Sequence, residues 1–187
     1  MAQYSKIEQY TGTEVISLTD AKKYLRVDYT SDDTYITELI KIARVQVLKD
    51  TNQVVVAQTI TEYFRKFTKV LELQYPGVLT NYSLTYFDSS NVSTALTEGT
   101  DYRIIEYLGL VKLEMINTPN TFDRLDAVRF SYIVSPANDD STAPLKIAMY
   151  MLIQHYYDNR SAVSFLKADE MPLGYKSIIA NYKNYIL

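Results

Sequence analysis

Apolar positions along the chain follow two different periods, and the changes between them divide it into three stretches. From Ser17 to about Gln53 the spacing is helical. Ser17-Leu18-Thr19-Asp20 places a hydroxyl at an N-cap and a carboxylate three residues on, as in a capping box. The short helix it opens runs to about Val27 and presents Leu18, Ala21 and Leu25 on one side. Ser31-Asp32-Asp33 offers acceptors for the orphan N–H groups of a second helix. That helix carries Ile36, Leu39, Ile40, Ala43 and Val47 on one stripe and ends at Thr51-Asn52-Gln53.

Between about Val54 and Val134 the period moves towards two. Val54 to Val56, Gln58 to Phe67, Val70 to Tyr75, Tyr82 to Phe87, Tyr102 to Glu106, Leu110 to Met115 and Ala127 to Val134 are rich in β-branched and aromatic residues. Turn-forming residues separate them, among them Pro76-Gly77, Asp88 to Asn91 and Glu98-Gly99. A small antiparallel sheet, a sandwich and a barrel all fit this spacing. Pro136 to Thr142 reads as a polar linker, and Pro144 falls where a first helical turn tolerates it. Leu145, Ala148, Met149, Leu152, Ile153 and Tyr156 form one helical stripe, and Ile147, Tyr150, Met151 and Tyr157 make the other side apolar too. A helix apolar nearly all round is covered on more than one side. A last helix is expected from about Leu173 to Tyr185.

The predicted class is therefore α+β, a small helical bundle of N- and C-terminal helices with an inserted antiparallel β domain. Residues 1–54 form the N-terminal helical part, 55–136 the β domain, and 137–187 the C-terminal helical part packing with 1–54. A soluble chain of 187 residues buries roughly 70% of its unfolded surface, so it needs no staple. It has no cysteine, which removes disulfides, thiol nucleophiles and cysteine zinc sites together. Met1 to Glu14 lacks the apolar core of a secretory signal, and no apolar run approaches a membrane span, so a soluble, unprocessed chain is expected. Eighteen tyrosines and no tryptophan fit either extensive half-wet interfaces or the codon usage of an AT-rich genome.

Chemistry is hard to find. His155 is the sole histidine; with no second histidine or cysteine to complete a metal site, it reads as a packing residue. Asp32-Asp33, Asp139-Asp140 and Asp169-Glu170 lie in loops and helix starts, where capping and solvation explain them better than acid–base work. No Gly-rich phosphate cradle or serine elbow occurs. Lys22, Lys23, Arg26, Lys41, Arg44 and Lys49 are offset by Asp20, Asp28, Asp32, Asp33, Glu38 and Asp50, the pattern of a solvated face rather than a phosphate-binding one. No catalytic, metal or cofactor site is expected.

The order of segments resembles the head–tail connector (adaptor) proteins of tailed phages. Ile16-Ser17-Leu18-Thr19-Asp20-Ala21-Lys22-Lys23-Tyr24-Leu25-Arg26-Val27-Asp28 is similar to their opening, continued by Asp32-Asp33, Ile36, Leu39-Ile40 and Ala43. A second likeness lies in Ala143-Pro144-Leu145-Lys146-Ile147-Ala148, Leu152-Ile153, His155-Tyr156-Tyr157 and Asn159-Arg160, then Pro172-Leu173-Gly174. Leu71 to Leu73, Pro76, Tyr82 to Tyr86, Asp88, Asp101-Tyr102 and Leu110 to Leu113 are similar to the β insertion of longer members. Members often carry glycine in the turn at Asp88 to Asn91, where this chain has none.

The resemblance implies a non-enzymatic virion protein made in the host bacterial cytoplasm and located at the portal vertex. It implies a homo-oligomeric ring, a dodecamer, with the portal protein above, a tail or stopper protein below, and DNA passing without sequence-specific binding or a membrane. A neutral or acidic channel lining would let the duplex slide. Candidate subunit or portal contacts are Tyr150, Met151, Tyr157, Tyr182, Tyr185, Ile186 and Leu187. The group around Met149 to Tyr157 fits core and interface equally, and the apolar end from Tyr182 is expected to dock on a neighbour. Two other readings are a small nucleic-acid-binding regulator on the N-terminal helix pair and a carbohydrate-binding β module using exposed tyrosines.

Overall fold

The computed structural model describes residues 4–107, 110–136, 139–159 and 171–182. Its described elements are four helices and eight strands, all strand pairing between them is antiparallel, and the class is α+β. The chain divides into two compact units, Met1–Gly12 with Val56–Ala137, and Thr13–Val55 with Asn138–Leu187.

The first unit is built of sheets. β1 (Tyr4–Tyr10), β2 (Gln58–Phe64), β8 (Val128–Ser135), β4 (Val78–Phe87) and β5 (Ser93–Leu96) lie in that order in one sheet. β3 (Val70–Glu72), β7 (Leu110–Met115) and β6 (Tyr102–Tyr107) form a second. Strict alternation places Val128, Phe130, Tyr132 and Val134 of β8 and Val111, Leu113 and Met115 of β7 inside. The Tyr102 and Phe130 rings meet edge to face at 6.5 Å, joining strands of the two sheets.

Two strands escaped the sequence pattern. β1 pairs with β2 from Tyr4↔Tyr63 to Tyr10↔Gln58, so the first twelve residues, assigned above to the helical part, group with the sheets. β5 is four residues long and pairs only with β4. β4 begins earlier than Tyr82 because a bulge around Asn81, at φ 47°, lets Val78 to Thr80 rejoin the ladder with β8. Val54 to Val56 are buried but form no strand.

The turn at Asp88 to Asn91 works without glycine. Asp88 Oδ1 accepts from the Ser90 and Val92 amides at 2.9 and 3.0 Å, and Asn91 takes the left-handed conformation at φ 60°. Gly77 is a true requirement. A Cβ there would lie 2.4 Å from the Ser135 carbonyl oxygen, and φ is 153°.

The second unit is helical: α1 (Leu18–Leu25), α2 (Asp33–Thr51), α3 (Asp139–Asp158) and α4 (Leu173–Ala180). Ser17 Oγ accepts the Asp20 amide at 3.1 Å, as the capping pattern predicts. α1 ends two residues early at a Schellman turn, in which Arg26 at φ 58° lets the Val27 amide reach the Lys22 carbonyl at 3.0 Å. Asp32 makes no side-chain cap bond at α2, contrary to expectation; its carboxylate is used elsewhere. α3 starts at Asp139, inside the expected linker, so Pro144 lies within the helix rather than in its first turn. α2 packs on α3, α3 on α4, and α1 on both α2 and α3. Ile36, Ala43, Val47, Leu145, Leu152 and Ile153 are fully or almost fully buried in this core. Each large aliphatic contributes about 1.5–3 kcal/mol by leaving water.

Candidate assembly surface

With the inward stripes of α2 and α3 turned to the shared core, helical geometry directs the opposite stripes outward. On α2 the outward stripe runs Thr34, Glu38, Lys41, Ile42, Val45 and Lys49. Ile42 and Val45, one turn apart, are each 48% exposed. On α3 it runs Ala143, Ile147, Tyr150, Met151, Gln154 and Asp158, with Ile147 51% exposed. Because α2 and α3 pack directly on one another, the two stripes point away from their common contact. Each outward stripe thus carries exposed apolar residues among polar ones, Ile42 and Val45 on α2 and Ile147 on α3.

The expected contact residues separate on inspection. Tyr150 is half-buried and stacks on Tyr24 of α1, ring centres 4.8 Å apart. Burial raises its phenol pKa, with the Asp20 charge adding to the rise. Met151 is partly covered by α4: its Sδ and Cε lie 3.1 Å from where a Cβ on Gly174 would stand, so glycine permits the approach. The residue before that glycine, Leu173, is 79% exposed.

Tyr157 is committed within its own unit. Its hydroxyl donates to Asp32 Oδ2 at 2.7 Å and meets the Tyr29 hydroxyl at 2.9 Å, and these bonds raise its pKa, Tyr29 first. It clasps the α1–α2 loop to the end of α3, which is what Asp32 does in place of capping. Tyr182 is half-buried, its amide donating to the Ile179 carbonyl at 3.0 Å. Tyr185, Ile186 and Leu187 lie outside the described residues. Sequence reasoning found the inward stripe of α2 and missed the exposed Ile42 and Val45, whose i, i+3 spacing was the available signal.

His155 packs edge to face on Tyr156 at 5.6 Å, and Asn159 caps its carbonyl at 2.9 Å. Among the described residues no three His, Asp or Glu side chains gather as a metal site, and no helix is long and apolar enough to cross a membrane. Of the five basic residues in α1 and α2, Lys22 pairs with Asp33 at 2.5 Å, Lys41 with Glu38 at 2.8 Å, and Arg44 with Glu14 at 2.6 Å. An open hollow of about 520 Å³ at the end of α1 is lined by Lys22, Lys23, Arg26 and Asp28 among others. With Lys22 spent on Asp33, its positive charge is small.

Residues 15–75 match the family of "Phage gp6-like head-tail connector protein". No curated protein matches the chain. Solved structures similar to it include a chain from "Neck of empty GTA particle computed with C6 symmetry", with TM-score 0.75 at 14% identity, covering 99% of this chain and 97% of that one. A chain from "Virion of native gene transfer agent (GTA) particle" gives 0.74 at 13% identity with the same coverages. One from "Neck of native GTA particle computed with C12 symmetry" gives 0.64 at 14%, covering 96% and 97%. At these identities the likeness is one of fold, and it extends over nearly the whole chain.

Proposed function

We propose that this chain is a structural head–tail connector, a subunit that assembles with copies of itself into a ring at the neck of a phage-like particle. The observation that carries the reading is exposed apolar residues on two different helices, Ile42 with Val45 on α2 and Ile147 on α3, because a head-to-tail ring needs two different faces on every subunit. The family match over the opening helices supports it. So does the whole-length likeness to chains of particle necks and virions.

The finer reading follows from the same surfaces. The N- and C-terminal helices form one bundle into which the sheet region is inserted. Tyr150 and Met151, with Ile147 and Leu173, form the contact to a neighbouring copy or to the portal, and the end from Tyr182 docks beside it. The ring is twelve-fold, a number favoured by the C12 symmetry of one similar neck. The portal lies above, a tail or stopper protein below, and DNA passes through without base-specific contact. The ion-paired basic residues of α1 and α2 favour this over a nucleic-acid-binding regulator. The protein works through burial rather than turnover.

Cryo-electron microscopy of particles purified with and without this chain tests the proposal. A collar at the portal vertex present only with the chain is expected. Particles whose neck is complete without it would overturn the reading.

A further inference from the structure

Glu62 belongs to the sheet unit, and its surroundings are unusual for a carboxyl. It sits in the middle of β2 on the inward row and is 0% exposed. Its cross-strand neighbours are Ser5 on β1 and Phe130 on β8, both uncharged. One oxygen, Oε1, accepts the Tyr132 hydroxyl at 2.5 Å and the Gln74 amide at 2.9 Å, and the Tyr75 amide also bonds the carboxyl. The other oxygen, Oε2, is buried with no hydrogen-bond partner.

Gln74 and Tyr75 belong to the crossover that leaves β3 in one sheet and enters β4 in the other. Ser5 grips the same crossover from the β1 side, its hydroxyl donating to Gln74 Oε1 at 2.9 Å. The ionisable groups facing Glu62 are the phenols of Tyr132, from β8, and Tyr75, from the crossover. No Lys, Arg or His among the described residues acts on it; the N-terminal ammonium lowers its pKa, by less than each of the three hydrogen bonds does.

We propose that Glu62 is a proton-dependent latch: with Oε2 protonated it holds the Leu73–Tyr75 crossover on β2, and losing that proton loosens the hold. A proton on Oε2 leaves the bonds at Oε1 in place. Ionisation puts charge on a buried carboxyl whose Oε2 has no hydrogen-bond partner among the described residues, and that desolvation outweighs both the bonds at Oε1 and the N-terminal charge. Burial pushes the carboxyl up to about 7, against the lowering effect of the Tyr132, Gln74 and Tyr75 bonds. A carboxyl raised in the folded state stabilises fully below its unfolded value, and the gain is lost as pH climbs to the folded one. The latch is therefore firm in mild acid and weak above neutrality. It stands independently of the connector reading.

Two measurements on the full chain decide it. Carbon-detected NMR of the Glu62 carboxyl in the wild type reads its titration directly; a midpoint near pH 7 is expected, and one in the ordinary carboxylate range overturns the latch. Amide exchange at Gln74 and Tyr75, corrected for its intrinsic base dependence, reads the opening. Protection should fall up to about tenfold per pH unit from roughly pH 5 to 7 in the wild type, then level off. It should stay flat in Glu62→Gln, which mimics the neutral acid. The same pH dependence in both proteins would sink the idea.

Discussion

Both units bury a charge-bearing side chain among apolar neighbours, and they settle it in different ways. In the helical unit Arg44, on the core face of α2, meets the Glu14 carboxylate at 2.6 Å. In the sheet unit the hydrogen bonds to Glu62 come from neutral donors, the Tyr132 hydroxyl and the Gln74 amide. An ion pair offsets part of the desolvation of its members, whereas burial raises the pKa of the Glu62 carboxyl. The outward surfaces differ too. Exposed apolar residues of the sheet unit are spread out, Val92, Ile116, Phe122 and Leu125 on turns and loops and Tyr4, Val70, Val78 and Ile105 singly on four different strands. Those of the helical unit, Ile42 with Val45 and Ile147 near Tyr150, line up one turn apart on helices. Scattered exposure is ordinary; aligned exposure marks a contact.

The sharpest way to break this comparison sets a core residue of one unit against a stripe residue of the other. Phe130, fully buried and touching the rings of Tyr102 and Tyr132, should cost about 3–5 kcal/mol when cut to alanine. Ile147→Ala, half-exposed, should change stability by no more than about 0.5 kcal/mol while lowering ring occupancy on particles. Denaturant unfolding and imaging of the neck read the two outcomes. A stripe variant that unfolds the protein, or leaves the ring untouched, would erase the distinction.

The two buried charges separate under pH. Raising Glu62 from its usual value of 4.5 to about 7 makes the sheet unit lose up to about 3 kcal/mol as pH climbs from 5 to 8. Glu62→Gln should flatten that slope in urea titrations. Asp126 does not confuse the reading. The Arg124 and Arg129 guanidiniums hold it down to about 2, so its contribution is present above its unfolded value and fades only in strong acid. Arg44→Met leaves Glu14 without its cation, and partial exposure of Glu14 limits the cost to about 2 kcal/mol. Urea unfolding of that variant beside the wild type measures the loss.

Local chemistry was legible in the chain and distant pairing was not. The Ser17 cap, the inward stripes of α2 and α3 and the bounds of β7 depend on residues within a turn or a strand of each other. β1 has polar residues at Ser5, Lys6, Glu8 and Gln9, and only its ladder with β2 makes it a strand. Tyr157 looked like surface because its partner Asp32 lies 125 positions away. Pro144 marks a first turn by its chemistry, yet Asp139 and Asp140 precede it in the helix and an acidic start favours one. Glu62 sits at an inward position of β2, a strand expected over Gln58 to Phe67 that ends at Phe64. Its burial was therefore deducible from alternation, while its partners were not.

The smallest effects test how each unit turns its chain without glycine. Arg26 ends α1 at φ 58° and Asn91 closes the β4–β5 turn at φ 60°, nearly the same backbone. A side chain with an ordinary Cβ strains that conformation by about 1 kcal/mol, but asparagine relieves the strain through its short polar group. Arg26→Gly should therefore stabilise the helical unit by about 0.5–1 kcal/mol, net of the extra freedom glycine gives the unfolded chain. Asn91→Gly, which restores the residue common in similar connectors, should change the sheet unit by less than about 0.5 kcal/mol. Its Oδ1 also accepts from Arg124 at 3.1 Å, and losing that exposed bond cancels part of any gain. Paired thermal melts of the two variants measure the difference; a larger gain at Asn91 than at Arg26 would show that side-chain relief, not the backbone angle, had been misjudged.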